Sequence, residues 1–114
     1  VSVGKLVVYR SGCPRGRIEK NESTDTVADG LRTVLGNHTF PVLQRHVRTI
    51  IRVEEDEIIR AMRLVWERMK IVIEPSSAVA VAAVLKNREL FAGRRVGIIL
   101  TGGNVDLDRL PWAR

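Results

Sequence analysis

Residues 78–85, Ala-Val-Ala-Val-Ala-Ala-Val-Leu, constrain this chain more than any other stretch. Glu74-Pro75-Ser76-Ser77 precedes them, and a proline suits the first turn of a helix, where its missing N–H is no loss. The spacing predicts a helix from Pro75 through Leu85, almost entirely Ala and Val. A helix apolar all round has to be covered on most sides, and its small side chains let the backbone lie close against a sheet.

The neighbouring segments supply candidates for that cover. Between Glu54 and Met69, the apolar residues Ile58, Met62, Val65, Trp66 and Met69 fall on one stripe of a 3.6-residue period. Acids crowd the first turn and Arg68 and Lys70 the last, as the helix dipole favours. Pro41, Val42, Leu43, Val47 and Ile50 predict a short amphipathic helix running into an extended stretch, 49–53. Residues 3–9 read as a short strand, 11–26 as a loop, 71–73 as a β-branched stretch and 87–94 as a charged turn. Residues 96–100, Val-Gly-Ile-Ile-Leu, form a continuous apolar run of the kind found in strands covered on both faces. Helices alternating with apolar strands predict an α/β layer with a mostly parallel sheet flanked by helices. In such sheets ligands sit beyond the carboxyl ends of the strands, so the Thr101-Gly102-Gly103-Asn104 turn is the first place to look for chemistry.

Composition narrows the function. A chain of 114 residues with 45% hydrophobic and 28% charged content is expected to form one globular domain. Its formal charge of +6 permits an anionic partner. However, the bases after residue 20 alternate with acids, and aromatics, at 4%, do not interleave with them to stack on bases, so no nucleic-acid partner is expected. The single cysteine, Cys13, allows no intrachain disulfide and favours a reducing compartment. No apolar run is long enough to span a membrane and no secretory leader is visible, so a cytoplasmic protein is expected. His38 and His46 lack companion ligands at metal-binding spacing, and no zinc site is assigned.

Four motifs then stand in order: Thr26-Val27-Ala28-Asp29-Gly30, Val65-Trp66-Glu67-Arg68-Met69-Lys70, Ile73-Glu74-Pro75-Ser76 and Leu100-Thr101-Gly102-Gly103-Asn104-Val105-Asp106. With them the chain resembles the serine racemase and serine/threonine dehydratase family of pyridoxal-phosphate (PLP) enzymes over roughly residues 16–112, while residues 1–15 match poorly. The resemblance implies fold type II, with residues 16–114 as the C-terminal segment of the PLP-binding large domain. It also implies that Thr101 matches the hydroxyl residue at the pyridine nitrogen of PLP. A neutral hydroxyl there does not favour ring protonation, which suits elimination and racemisation over transamination. Gly102 and Gly30 match positions where backbone passes close to the cofactor, although each also serves a plain turn. Glu74 matches a glutamate beside the cofactor, and a carboxylate before a Pro-started helix equally serves as a cap or ion-pair partner. Lys70 and Asn104 match contacts to a nucleotide effector in some racemases, and Lys70 equally complements the end of its helix. Relatives often bind a divalent cation through acids, yet residues 3–18 contain none, and the aligned position is about Val8.

The family's Schiff-base lysine lies in a Ser-x-Lys-x-Arg-Gly setting and its phosphate in a run of four glycines. Neither occurs here, and Lys5, Lys20, Lys70 and Lys86, the lysines of the chain, lack that context. The resemblance therefore implies a portion of a lyase or racemase that acts on small hydroxyamino acids through an α-carbanion. It would be inactive alone and homodimeric when complete. The alternative is a non-catalytic interaction or regulatory relative that retains the scaffold.

Overall fold

A computed structural model describes residues 5–10, 25–32 and 36–113, with the backbone alone for 5–10 and 48. Cys13, Lys20 and most of the expected 11–26 loop lie outside the described residues. Strand β1 (Lys5–Arg10) pairs antiparallel with β2 (Arg48–Val53), from Lys5 opposite Val53 to Arg10 opposite Arg48. Between them lie a 3-10 turn at Asp29–Leu31 and helix α1 (Thr39–His46). Helices α2 (Glu55–Met69), α3 (Pro75–Lys86) and the single-turn α4 (Arg88–Phe91) follow, and a 3-10 turn at Leu107–Arg109 lies near the end of the chain.

The core sits between α2 and α3. Ile58, Ala61, Met62 and Val65 turn inward from α2, at the three- and four-residue spacing of one helix face. Ala78, Val79, Ala82 and Ala83 meet them from α3, joined by Val53, Ile73 and Ala28. Because α3 offers mostly Ala and Val, the two helix backbones can approach closely around the larger α2 side chains. The first turn of α2 is closed by Glu57, whose Oε2 accepts the Glu54 N–H at 2.7 Å in a capping box. Its end is turned by Lys70 in the left-handed conformation (φ 60°), with the Lys70 N–H donated to the Trp66 carbonyl. The 71–74 segment is then pinned by the Trp66 indole, which donates to the Ile73 carbonyl at 2.9 Å. The Trp66 ring meets Trp112 edge to face at 5.2 Å.

Lys86, at the end of α3, donates to Glu57 Oε2 at 2.9 Å. Burial pushes the Glu57 carboxyl up, but the Glu54 amide and the Lys86 ammonium outweigh it and hold it below its ordinary value of 4.5. A carboxyl with a depressed folded-state pKa stabilises the fold above its unfolded pKa, and that contribution is lost as pH falls through the folded value. Urea midpoints measured across the carboxylate range should therefore fall with pH. Glu57→Gln should remove on the order of 0.5 kcal/mol of that fall, the size of a partly exposed ion pair. An unchanged pH slope in Glu57→Gln would remove Glu57 from the account.

Two expectations change in detail. The charged stretch 87–94 contains α4, closed by the Leu90 N–H to the Asn87 carbonyl at 3.0 Å. The strand expected at 96–100 does not form: among the described residues that run has no regular secondary structure and no strand partner, and the sheet formed is the antiparallel β1–β2 pair. An apolar run becomes a covered strand only where others flank it, and here Ile99 is 81% exposed. Among the described residues no helix is long and apolar enough to cross a membrane.

Candidate functional site

Three segments distant in sequence converge at the start of α3. Pro75 at the first helical position sets the direction of the helix, and Glu74 before it is extended, with its own N–H donated to the Gly102 carbonyl at 3.2 Å. The Glu74 side chain makes no capping hydrogen bond to α3. It turns instead to the 101–104 turn, where Oε2 accepts the Asn104 N–H at 3.0 Å. Gly102 has φ +82°, and a Cβ there would lie 2.5 Å from Glu74 Cδ and 2.8 Å from Oε1. Glycine is therefore required at 102 both by the backbone conformation and by the carboxylate pressed against it.

On the other side of Glu74 lies the turn at 28–30. The Gly30 N–H donates to Ser76 Oγ at 3.0 Å and to Asp29 Oδ1 at 2.8 Å. A Cβ on Gly30 would sit 2.8 Å from Ser76 Oγ and 3.5 Å from Glu74 Oε1. The turn is held from behind by Thr26, whose hydroxyl accepts the Ala28 N–H at 3.0 Å, and by Glu55 of α2, whose Oε2 accepts the Val27 N–H at 2.8 Å. Gly30, Glu74, Gly102 and Asn104 thus meet at one corner. Thr101 precedes that clamped turn. It is exposed, and its hydroxyl has no hydrogen-bond partner among the described residues. Beside the corner opens a cleft of about 310 Å³, lined by Val27, Asp29, Pro75, Asn104, Asp106 and Arg109 among others. Lys70 stays exposed at the end of α2, and no hydrogen bond or ion pair joins it to the corner among the described residues.

Ser76 is the contributor that sequence reasoning did not single out. It stands 46 positions from the amide it receives, a separation at which no helical or strand periodicity carries a signal. His38 and His46 lie at opposite ends of α1, and no three His, Cys, Asp or Glu residues among those described come together as a metal site would require.

The corner leaves the exposed Thr101 hydroxyl open to a flat heterocyclic cofactor, where it could donate to a ring nitrogen, while Ser76 and Glu74 already fill the space a Cβ would take on Gly30 and Gly102. It does not itself provide a phosphate cradle or an amine in a Schiff-base setting. Comparisons with known proteins give the family. A family model described as "Pyridoxal-phosphate dependent enzyme" matches residues 4–102. The chain is 52% identical over 104 residues to beta-hydroxyaspartate dehydratase of Paracoccus denitrificans, covering 91% of this chain and 33% of that protein. Its structure is similar to that of serine racemase from Dictyostelium discoideum, with TM-score 0.74, 50% identity and coverage of 82% of this chain and 30% of that one. It is also similar to maize serine racemase, with TM-score 0.76, 40% identity and coverage of 84% and 32%, and to a threonine deaminase, with TM-score 0.75 and 40% identity. The chain spans about a third of the length of the relatives it matches.

Proposed function

This chain belongs to the pyridoxal-phosphate-dependent enzyme family, and on that premise we propose that it forms the ring-facing wall of the cofactor site in a serine/threonine ammonia-lyase or serine racemase. Its relatives are lyases and racemases of amino acids with fold type II architecture. The observation that carries the reading is the corner itself: the Glu74 carboxylate ties the 101–104 turn to α3, and Gly30 packs against the same helix start. Bound PLP supplies the electron sink that lowers the cost of removing the substrate's α-proton.

In this reading the chain's own residues hold and orient. The Thr101 hydroxyl donates a hydrogen bond to the ring nitrogen without yielding its proton, because an alcohol is far too weak an acid to do so. Gly102 and Gly30 omit the Cβ that would collide with Glu74 and Ser76, and so let the two turns close on the start of α3. Glu74 holds the 101–104 turn, so the hydroxyl at 101 is presented from a fixed backbone. The substrate is a small hydroxyamino acid, and the lysine and phosphate cradle come from polypeptide outside this sequence. The chain alone is therefore inactive.

Complementation tests this. The chain is mixed with PLP and with the part of Dictyostelium discoideum serine racemase that it does not match. The mixture should show the visible absorbance band of lysine-bound PLP and turn over L-serine, whereas the chain with PLP alone should show neither. Thr101→Ala should shift the band and slow turnover about tenfold, the cost of one hydrogen bond in a site closed to water. A band from the chain alone, or a Thr101→Ala mixture identical to the unsubstituted one, would overturn the proposal.

A further inference from the structure

We propose that Ser76 is a positioning residue that sets where the 28–30 turn stands relative to the 101–104 turn, on the two sides of the Glu74 carboxylate. The inference rests on the cofactor-wall reading above and deepens it. Ser76 lies on the first turn of α3, one residue after Pro75, where the proline has already fixed the backbone. Its hydroxyl accepts the Gly30 N–H at 3.0 Å, across 46 residues of chain. The contact is close on both sides, since a Cβ on Gly30 would meet Ser76 Oγ at 2.8 Å and Ser76 Cβ at 3.3 Å. Gly30 is thus seated on Ser76 by a hydrogen bond, with no room for a side chain at position 30.

Two positions before Ser76, Glu74 reaches the other way to the Asn104 N–H at 3.0 Å. The helix start is therefore a rigid spacer with one turn attached through Ser76 and the other through Glu74. Asp29 Oδ1 also accepts the Gly30 N–H, at 2.8 Å. Loss of the Ser76 hydroxyl would therefore leave that amide paired locally but release the turn from α3. The consequence is displacement of the turn with little loss of stability. A displacement of this kind is felt most by a ligand that touches both turns, because positioning errors of about 1 Å carry large kinetic penalties.

The test uses Ser76→Ala and Ser76→Thr, the second retaining the hydroxyl. In the full chain on its own, hydrogen exchange at the Gly30 amide should accelerate about tenfold in Ser76→Ala and stay unchanged in Ser76→Thr. In the complemented mixture with PLP, Ser76→Ala should raise the KM for L-serine about tenfold and shift the cofactor band, with Ser76→Thr restoring both. Unchanged Gly30 exchange in Ser76→Ala would overturn the inference whatever the mixture does. Accelerated exchange with an unaltered KM and band would overturn the link to the cofactor site. If the unsubstituted mixture binds no PLP, the cofactor-wall reading fails instead, and with it that link, while the exchange result still decides the Ser76 contact.

Discussion

Gly102→Ala is expected to destabilise the chain by about 3 kcal/mol and to abolish PLP capture in the complemented mixture. Two costs combine. At φ +82° an alanine enters a backbone region that L-residues avoid, at about 1–2 kcal/mol. The new Cβ also collides with the Glu74 carboxylate, with Cδ at 2.5 Å, so the side chain has to swing off the Asn104 N–H. Breaking a hydrogen bond to a charged group costs about 1.5–3 kcal/mol. A double-mutant cycle separates the two parts. In a Glu74→Ala background the collision is gone, and Gly102→Ala should cost only the backbone share of about 1–2 kcal/mol. Equal losses in both backgrounds, read from urea unfolding, would show that Glu74 does not press on residue 102.

That cycle also marks where sequence reasoning reaches its limit. Helix α2 was legible because Ile58, Met62 and Val65 repeat at helical spacing and the acids of its first turn match its dipole. Helix α3 was legible because Pro75 announces its start and its Ala/Val run demands cover. Both are local signals. The corner is not local: Gly30, Ser76 and Asn104 meet through Glu74 and the helix start, over separations of 30 and 46 residues. Neither period nor propensity encodes such a meeting, and only the four motifs shared with a known family placed Gly30, Glu74 and Gly102 on one list. The run 96–100 shows the converse. Val96, Ile98, Ile99 and Leu100 read as a strand, but none forms there among the described residues, because partnership in a sheet belongs to the neighbours as much as to the strand.

The second large effect lies in the helix pair that carries the corner. Ile58→Ala should cost about 3–4 kcal/mol, in the upper half of the range for deleting a buried Ile. Ile58 is fully buried in the cluster between α2, α3 and Val53, and it lines none of the clefts described above. The space it vacates is apolar and shut to water, so the lost contacts are not replaced. Ile59 provides the internal control. One residue on, it is turned about 100° around the helix, is half-buried and lines the open cleft beside the corner. Water can follow the deleted atoms there, and Ile59→Ala should cost only about 1 kcal/mol. For a domain with typical stability of about 5–15 kcal/mol, the first substitution removes a large share of what holds α3 in place. Glu74 and Ser76 ride on the start of α3. Ile58→Ala should therefore loosen Gly30 amide protection along with global stability, whereas Ile59→Ala leaves it intact. Similar unfolding free energies for the two variants would show that the α2–α3 interface is wet, and that the corner draws its rigidity from elsewhere.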